Sequence, residues 1–163
     1  MTFLIILVTA FVATWALPSR YGGRSLRTPM RRAMALSLIV AGVSHFAAPD
    51  SFRAYIPAWV PARDALVYVS GVLEVIGGLA LLGRRELRGI GNAIALYLLL
   101  VFPANVYVAV ADVEVSGPMV NGWYHWARLP LQALFIWWVL HSTSPAGPDR
   151  PRAVASHPAR ATG

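Results

Sequence analysis

Apolar residues along this chain fall into five runs separated by short polar segments. The runs cover residues 2–17, 30–46, 65–82, 89–111 and 123–140, to within a residue or two. A membrane-spanning helix needs roughly 20 mostly apolar residues, so each run is close to the length of one span. The pattern therefore predicts an all-α, polytopic membrane bundle of about five spans, forming one domain over residues 1–140.

The segments outside the runs are of two kinds. Residues 49–61 carry several prolines with interleaved aromatic residues, which is typical of an interfacial loop or a short helix at the level of the lipid headgroups. From His141 to Gly163 the chain is rich in Pro, Ala, Ser and Arg and has no apolar period. We expect residues 141–163 to form a disordered tail.

The first run also has the length of a signal peptide. No basic residue precedes it and no Ala-x-Ala follows it, whereas five arginines lie between residues 20 and 32. These features favour a retained membrane anchor over a cleaved signal, but the sequence leaves both possibilities open.

Composition agrees with a membrane location. Hydrophobic residues make up 57% of the 163 positions and charged residues 13%, and the mean hydropathy of +0.57 is too high for an ordinary soluble domain. The net charge of +7 comes from fourteen arginines that flank the apolar runs, where they fit anionic lipid headgroups better than a nucleic acid. With no cysteine, the chain itself cannot carry out thiol–disulfide exchange or ligate an iron–sulfur cluster.

The arginines also predict an orientation, because positive residues concentrate on the cytoplasmic side. If the loop after the first run is cytoplasmic, the loop at residues 83–88 and the tail are cytoplasmic too, and eleven arginines lie inside. The opposite side then holds Arg53 and Arg63 with four acidic residues. This predicts five spans with the N-terminus outside and the C-terminus in the cytoplasm.

Glu74 is the clearest polar residue within a predicted span, about ten residues into the third. An ionisable side chain at that depth must face protein or water, and such residues mark function or a buried pair. At 100° per residue, Ser70, Gly71, Gly77 and Gly78 lie within about 60° of Glu74, so it shares a face of small residues suited to close helix packing.

Further polar residues are predicted at a similar depth on other helices. His125, Arg128 and Gln132 are spaced i, i+3 and i+7 on the fifth span, and Pro103 is expected to bend the fourth span and free the carbonyl of Leu99. The predicted polar cluster and its mouth comprise His45, Glu74, Asn105, His125, Arg128 and Gln132, with Trp59 and Trp126 at the opening.

Three interpretations of this cluster remain open. Glu74 and Arg128 could form a buried structural pair; the residues could line a ligand pocket opening toward the outer leaflet; or they could serve a proton or ion path. Histidine spacing predicts no metal site, and no nucleophile elbow, phosphate loop or dinucleotide motif is present.

A set of short motifs resembles the DoxX-like family of small bacterial integral membrane proteins. The motifs run from Met30 to Leu140, in order: Gly42-Val43-Ser44-His45-Phe46, Pro49, Phe52, Ile56-Pro57-Ala58-Trp59-Val60-Pro61, Ser70-Gly71, Glu74, Gly77-Gly78, Phe102-Pro103-Ala104-Asn105 and Arg128-Leu129-Pro130-Leu131-Gln132. The resemblance implies a four-helix membrane bundle, here with one additional N-terminal helix, in the bacterial cytoplasmic membrane. The family supports no single function, although its name derives from a subunit of a thiosulfate:quinone oxidoreductase.

Two functional hypotheses follow, both favouring a protein that is not an enzyme. In the first, the polar cluster binds a lipid-like molecule, a quinone being one candidate; no other cofactor is indicated. In the second, the chain is an accessory or assembly subunit that pairs with a membrane-protein partner or with copies of itself. A third reading, a proton-transfer enzyme using Glu74 and His45 on an apolar substrate, also fits the residue types.

Overall fold

The computed structural model describes residues 2–16, 26–83, 86–111 and 122–145, and six helices lie within these ranges. Within these ranges there is no strand, so the all-α prediction is confirmed. The helices are α1 (Thr2–Ala16), α2 (Arg27–Ala47), α3 (Pro49–Arg53), α4 (Arg63–Leu82), α5 (Leu87–Val110) and α6 (Gly122–Thr143).

The five long helices coincide with the five apolar runs to within about three residues at each end. α6 continues to Thr143, past the predicted end at residue 140, and the rest of the predicted tail, residues 146–163, lies outside the described residues. The short α3 begins at Pro49, a residue whose fixed φ suits the first turn of a helix. The proline-punctuated segment thus contains one helical turn followed by a loop.

α2 is the central helix, packing against α1, α3, α4 and α6. Its buried side chains form a continuous core with residues of α1, α4, α5 and α6. The fully or nearly fully buried members are Leu7, Ala33, Met34, Ala35, Leu38, Leu81, Ile94, Ala95, Leu98 and Val139. α5, by contrast, packs chiefly against α6 and only lightly against α4.

The contact between α2 and α4 is the closest in the bundle and depends on glycine. A Cβ added at Gly42 would lie 2.6 Å from the carbonyl oxygen of Gly71, and one added at Gly78 would lie 2.7 Å from that of Ala35. Gly71 and Gly78 are seven residues apart, as are Ala35 and Gly42, so each pair forms a stripe along one face of its helix. These stripes let the two backbones approach directly.

α1 is an integral part of this packing. Leu7 is fully buried, Phe3 packs on Phe135 with ring centroids 4.7 Å apart, and Phe11 meets the edge of Trp138 at 5.3 Å. The Trp138 indole in turn donates a 2.9 Å hydrogen bond to the carbonyl of Met30 on α2.

The α3 segment is tied to the bundle through Arg53. This guanidinium donates to Asp50 at 2.9 Å and, through Nε, to Asp64 at the start of α4 at 2.6 Å. The hydrogen bond and charge of Asp64 raise the pKa of Arg53 above its ordinary value. Because both partners are exposed, this bridge fixes the geometry of the segment more than it adds stability.

Much of the apolar surface faces outward. On α4, large apolar or aromatic side chains are exposed at Leu66, Tyr68, Val69, Val72, Leu73, Ile76, Leu79 and Leu82. A soluble monomer rarely presents so continuous an apolar face. Among the described residues, α4 and α5 are the two helices that are long and apolar enough to cross a membrane, and α1 is a shorter apolar helix.

Candidate functional site

The polar residues predicted to form one cluster lie, apart from His125, in two networks of polar contacts. The first, the carboxylate network, joins α2, α4 and α5 through His45, Glu74 and Tyr97. The Tyr97 hydroxyl donates to Glu74 Oε1 at 2.9 Å, and His45 Nδ1 lies 3.6 Å from Glu74 Oε2. The Glu74 side chain is 14% exposed and His45 is buried, so both side chains are largely withdrawn from the surface.

His45 is held in place from both sides of its ring. Its Nδ1 is 2.9 Å from the carbonyl of Ala41, which can only accept, so Nδ1 carries the proton and donates it there. The ring of Phe52, from α3, stacks on the imidazole with centroids 3.7 Å apart. Gly71 makes room on the other side, since a Cβ there would lie 2.8 Å from His45 Cβ.

The second, the arginine network, joins α5, α6 and the segment after α3. Arg128 donates through Nη1 to the Tyr55 hydroxyl at 2.6 Å and through Nη2 to Asn105 Oδ1 at 2.9 Å, and its guanidinium lies 4.5 Å above the Tyr55 ring. The Asn105 amide donates to Gln132 Oε1, and the Gln132 amide donates to the carbonyl of Leu98. Each of these side chains thus links two elements.

The hydrogen bond from Gln132 reaches the carbonyl next to the one that Pro103 is predicted to free. Pro103 lies inside α5, as predicted, and its missing N–H was expected to leave the Leu99 carbonyl for a side-chain donor. The carbonyl that Gln132 reaches is that of Leu98, one residue earlier. That neighbouring carbonyl is the one facing α6.

Glu74 and Arg128 belong to different networks, in contrast to the pairing considered from the sequence. In the described part of the chain α4 and α6 are not neighbours, because α2 and α5 lie between them. Glu74 therefore accepts a hydrogen bond from Tyr97 of α5, whereas Arg128 donates to Asn105 of α5 and to Tyr55.

The remaining predicted residues occupy separate positions. His125 is buried on α6, one turn before Arg128. Trp59 and Trp126 are 82% and 58% exposed, and neither lines the cavity described next.

A cavity of about 230 Å³ lies between α2, α4 and α5. Its lining is almost entirely apolar, with the carboxylate network at one end: Leu38, Leu73, Glu74, Ile76, Gly77, Ala80, Ile90, Ala93, Ile94 and Tyr97. The small residues Gly77, Ala80 and Ala93 leave the space, since α4 and α5 touch only lightly here.

The position of this cavity differs from the predicted one. The sequence placed the pocket toward the α3 end of the bundle, beside His45, Asn105 and Arg128. The cavity instead runs from Glu74 toward the loop joining α4 and α5. Small side chains border this cavity, whereas the arginine network lies toward the α3 end of the bundle.

Two residues of the networks were not expected as partners. Tyr97 lies in an apolar run with no neighbouring polar residue, so the sequence offers no signal for its role. Tyr55 was grouped with the interfacial aromatics, and only its i+3 spacing from Phe52 could have indicated that both reach back to the bundle. Within the described ranges, no three His, Cys, Asp or Glu side chains are grouped so as to hold a metal ion.

The arginine network predicts a specific stability effect at Asn105. In Asn105→Ala the buried Gln132 loses the amide that donates to its Oε1 atom and Arg128 loses one of its acceptors, and a buried polar group left unsatisfied costs about 1–3 kcal/mol. We expect a lower midpoint of thermal unfolding in detergent. Asn92→Ala, at an exposed position of the same helix, is the control and should change the midpoint little. Equal midpoints for the two variants would contradict the structural role of this network.

A family model described as a domain of unknown function (DUF8561) matches residues 34–143, about two thirds of the chain, from the middle of α2 to the end of α6. No curated protein matches the chain. No solved structure matches it either. The matched range contains both polar networks and the whole lining of the cavity.

Proposed function

We propose that this chain, which belongs to the DUF8561 family, is a multi-pass membrane protein that holds a lipid-like molecule between α4 and α5. Its four-helix core is formed by α2, α4, α5 and α6, with α1 as an additional N-terminal helix. We place it in the bacterial cytoplasmic membrane, with the N-terminus outside and the C-terminus in the cytoplasm.

The distribution of charge at the two ends of the bundle supports this orientation. Arg27 donates to the carbonyls of Ser144 and Pro145, so the start of α2 and the end of α6 lie at the same end. That end also carries the further arginines of α2 and the start of α5, namely Arg31, Arg32 and Arg88. Positive residues concentrate on the cytoplasmic side of membrane proteins, so this end is the cytoplasmic one.

The length and surface of α4 and α5 support a membrane environment. At 1.5 Å per residue, helices of 20 and 24 residues extend about 30 and 36 Å, enough to cross a hydrocarbon core of about 30 Å. The exposed apolar face of α4 would meet lipid tails there at no cost.

The observation that carries the proposed ligand is the cavity with Glu74 and Tyr97 at its end. Most of its lining is apolar, which suits a hydrocarbon chain, and its few polar atoms converge at one point, which suits a single polar head. It opens between two membrane-facing helices, so a lipid-like molecule, a quinone-like one included, could enter from the bilayer. We infer binding rather than catalysis as the role of this site.

Filling the cavity tests the proposal. Native mass spectrometry of the protein purified in mild detergent should show a bound lipid-like molecule, and Ala93→Phe should abolish that species because the ring occupies the space lined by Ala93. Leu99→Phe is the control, since Leu99 is 56% exposed on the opposite side of α5. A wild-type protein without any such molecule, or one retained unchanged in Ala93→Phe, would contradict the proposal.

A second candidate function rests on the light contact between α4 and α5. A partner helix could lie against the exposed face of α4 and the opening of the cavity, and the chain would then act as an accessory or assembly subunit. The same preparation separates the two candidates: a second protein at fixed stoichiometry, with no small molecule bound, would favour the accessory role.

We also propose a distant relation to the DoxX-like family. The motif residues that suggest it are grouped in the bundle. The two networks contain His45, Glu74, Asn105, Arg128 and Gln132, and three of the motif glycines, Gly42, Gly71 and Gly78, lie at the α2–α4 contact. An experimental structure of a DoxX-like protein with the same two networks would support the relation, and one with unrelated partners for these residues would refute it.

A further inference from the structure

The hydrogen-bonding groups at the polar end of the cavity are unequally divided between donors and acceptors. The Tyr97 hydroxyl has one proton, which it donates to Glu74 Oε1 at 2.9 Å. The Ser70 hydroxyl, beside it, donates to the carbonyl of Val67 at 2.8 Å. His45 Nδ1 donates to the carbonyl of Ala41. These three protons are therefore all used within the protein.

The oxygen atoms of Glu74 and Tyr97, in contrast, can accept more hydrogen bonds than the protein donates to them. A carboxylate has about four lone-pair positions, and Glu74 accepts a single hydrogen bond from the described residues, that of Tyr97. Its Oε2 atom has no hydrogen-bond partner there, since His45 Nδ1 at 3.6 Å is too far. The Tyr97 oxygen also keeps a lone pair that can accept.

We propose that the site selects an amphiphile whose polar head donates a hydrogen bond, namely an apolar chain ending in a hydroxyl group. This inference rests on the proposed function and narrows its ligand class. A long-chain alcohol or a hydroquinone would donate its O–H to the Glu74 carboxylate or to the Tyr97 oxygen. An ether or an aldehyde with the same chain has only acceptor atoms. Its oxygen would face the lone pairs of Glu74 and Tyr97, and no hydrogen bond could form between them.

The expected selectivity follows from this unequal division of donors and acceptors. A hydroxyl head would donate to one of the acceptor oxygens, whereas an ether or aldehyde oxygen facing them in an apolar site would leave both sides desolvated without compensation. We expect the hydroxyl compound to bind at least about tenfold more tightly than a compound of the same chain that lacks the donor.

Equilibrium binding of tritiated dodecanol to the detergent-purified protein, competed by unlabelled compounds, tests this inference. Unlabelled dodecanol should displace the label at least about tenfold more effectively than dodecanal or the methyl ether of dodecanol. Equal displacement by all three would overturn the hydroxyl selectivity and leave the proposed lipid-binding function standing. If saturable binding of dodecanol is absent, both are overturned.

Glu74→Gln provides the matched variant. The side-chain amide keeps one acceptor oxygen but adds N–H donors, so the affinity for dodecanal should rise. The preference for dodecanol should therefore fall several-fold or vanish. Leu99→Phe, at an exposed position on the opposite side of α5, is the control and should leave the preference unchanged. The thermal unfolding midpoint of each variant identifies one that fails to fold, and the wild-type competition decides the question without them. An undiminished preference in a folded Glu74→Gln protein would overturn the role of the carboxylate.

Discussion

Gly78→Ala should destabilise the bundle by about 1–3 kcal/mol, the usual cost of adding a methyl group to a packed interior. The new Cβ would lie 2.7 Å from the carbonyl oxygen of Ala35 and 3.2 Å from the backbone nitrogen of Ile39. These are backbone atoms of α2, which cannot move aside without shifting the whole helix. The measurement is the free energy or the midpoint of unfolding in detergent.

Gly77→Ala is the matched control, at the adjacent position of the same helix. Its Cβ would meet only the side chain of Ile94, at 3.3 and 3.5 Å, and beyond that lies the cavity. Both variants gain the same helix propensity, about 0.5–1 kcal/mol, so the difference between them isolates the contact with α2. Similar unfolding of the two variants would show that α2 and α4 do not approach at Gly78 as described.

Labelling of single introduced cysteines should show that the two ends of the bundle lie on opposite sides of the membrane. The chain has no cysteine, so each introduced thiol is the only one to react. A membrane-impermeant maleimide added to intact cells should label Ala58→Cys, in the segment after α3, because that exposed position faces outward in the proposed orientation. Arg88→Cys, exposed at the start of α5, should be labelled only after the cells are permeabilised.

The reverse pattern would invert the proposed orientation, because the arginine-rich end would then face outward. Labelling of both positions in intact cells would be incompatible with α4 as a membrane span. The two positions lie on either side of α4, so this pair tests that span directly.

The helices could be predicted well from the sequence because their apolar runs have the lengths that a bilayer imposes, and polar or proline-containing segments separate them. The glycines of α4 were also grouped correctly on one side of the helix. Their tasks differ, however: Gly71 and Gly78 contact α2, while Gly77 borders the cavity. A helical period gives the face of a residue, but it cannot say which of two neighbouring helices that face meets.

The same limit explains what the sequence left undetermined about the polar residues. The position of each residue along its helix predicts that Glu74 and Arg128 lie at similar depths. Whether two residues at the same depth meet depends on which helices are neighbours, and α2 and α5 separate α4 from α6. Tyr97 could not be recognised because a tyrosine in an apolar run fits lipid, core or network equally well. The cavity between α4 and α5 was not predicted because small side chains border it, and these carry no polar signal.

The order of packing has a consequence for the way the bundle is made. α2 and α4 meet across the short α3 segment, so their glycine contact is available as soon as α4 has been synthesised. α5 has little to hold it against α4, and its main partner is α6, which follows it in the chain. One wall of the cavity is therefore fixed early and the other only after α6 has been synthesised. A ribosome-bound intermediate lacking α6 would have Glu74 in place but Tyr97 not yet held opposite it.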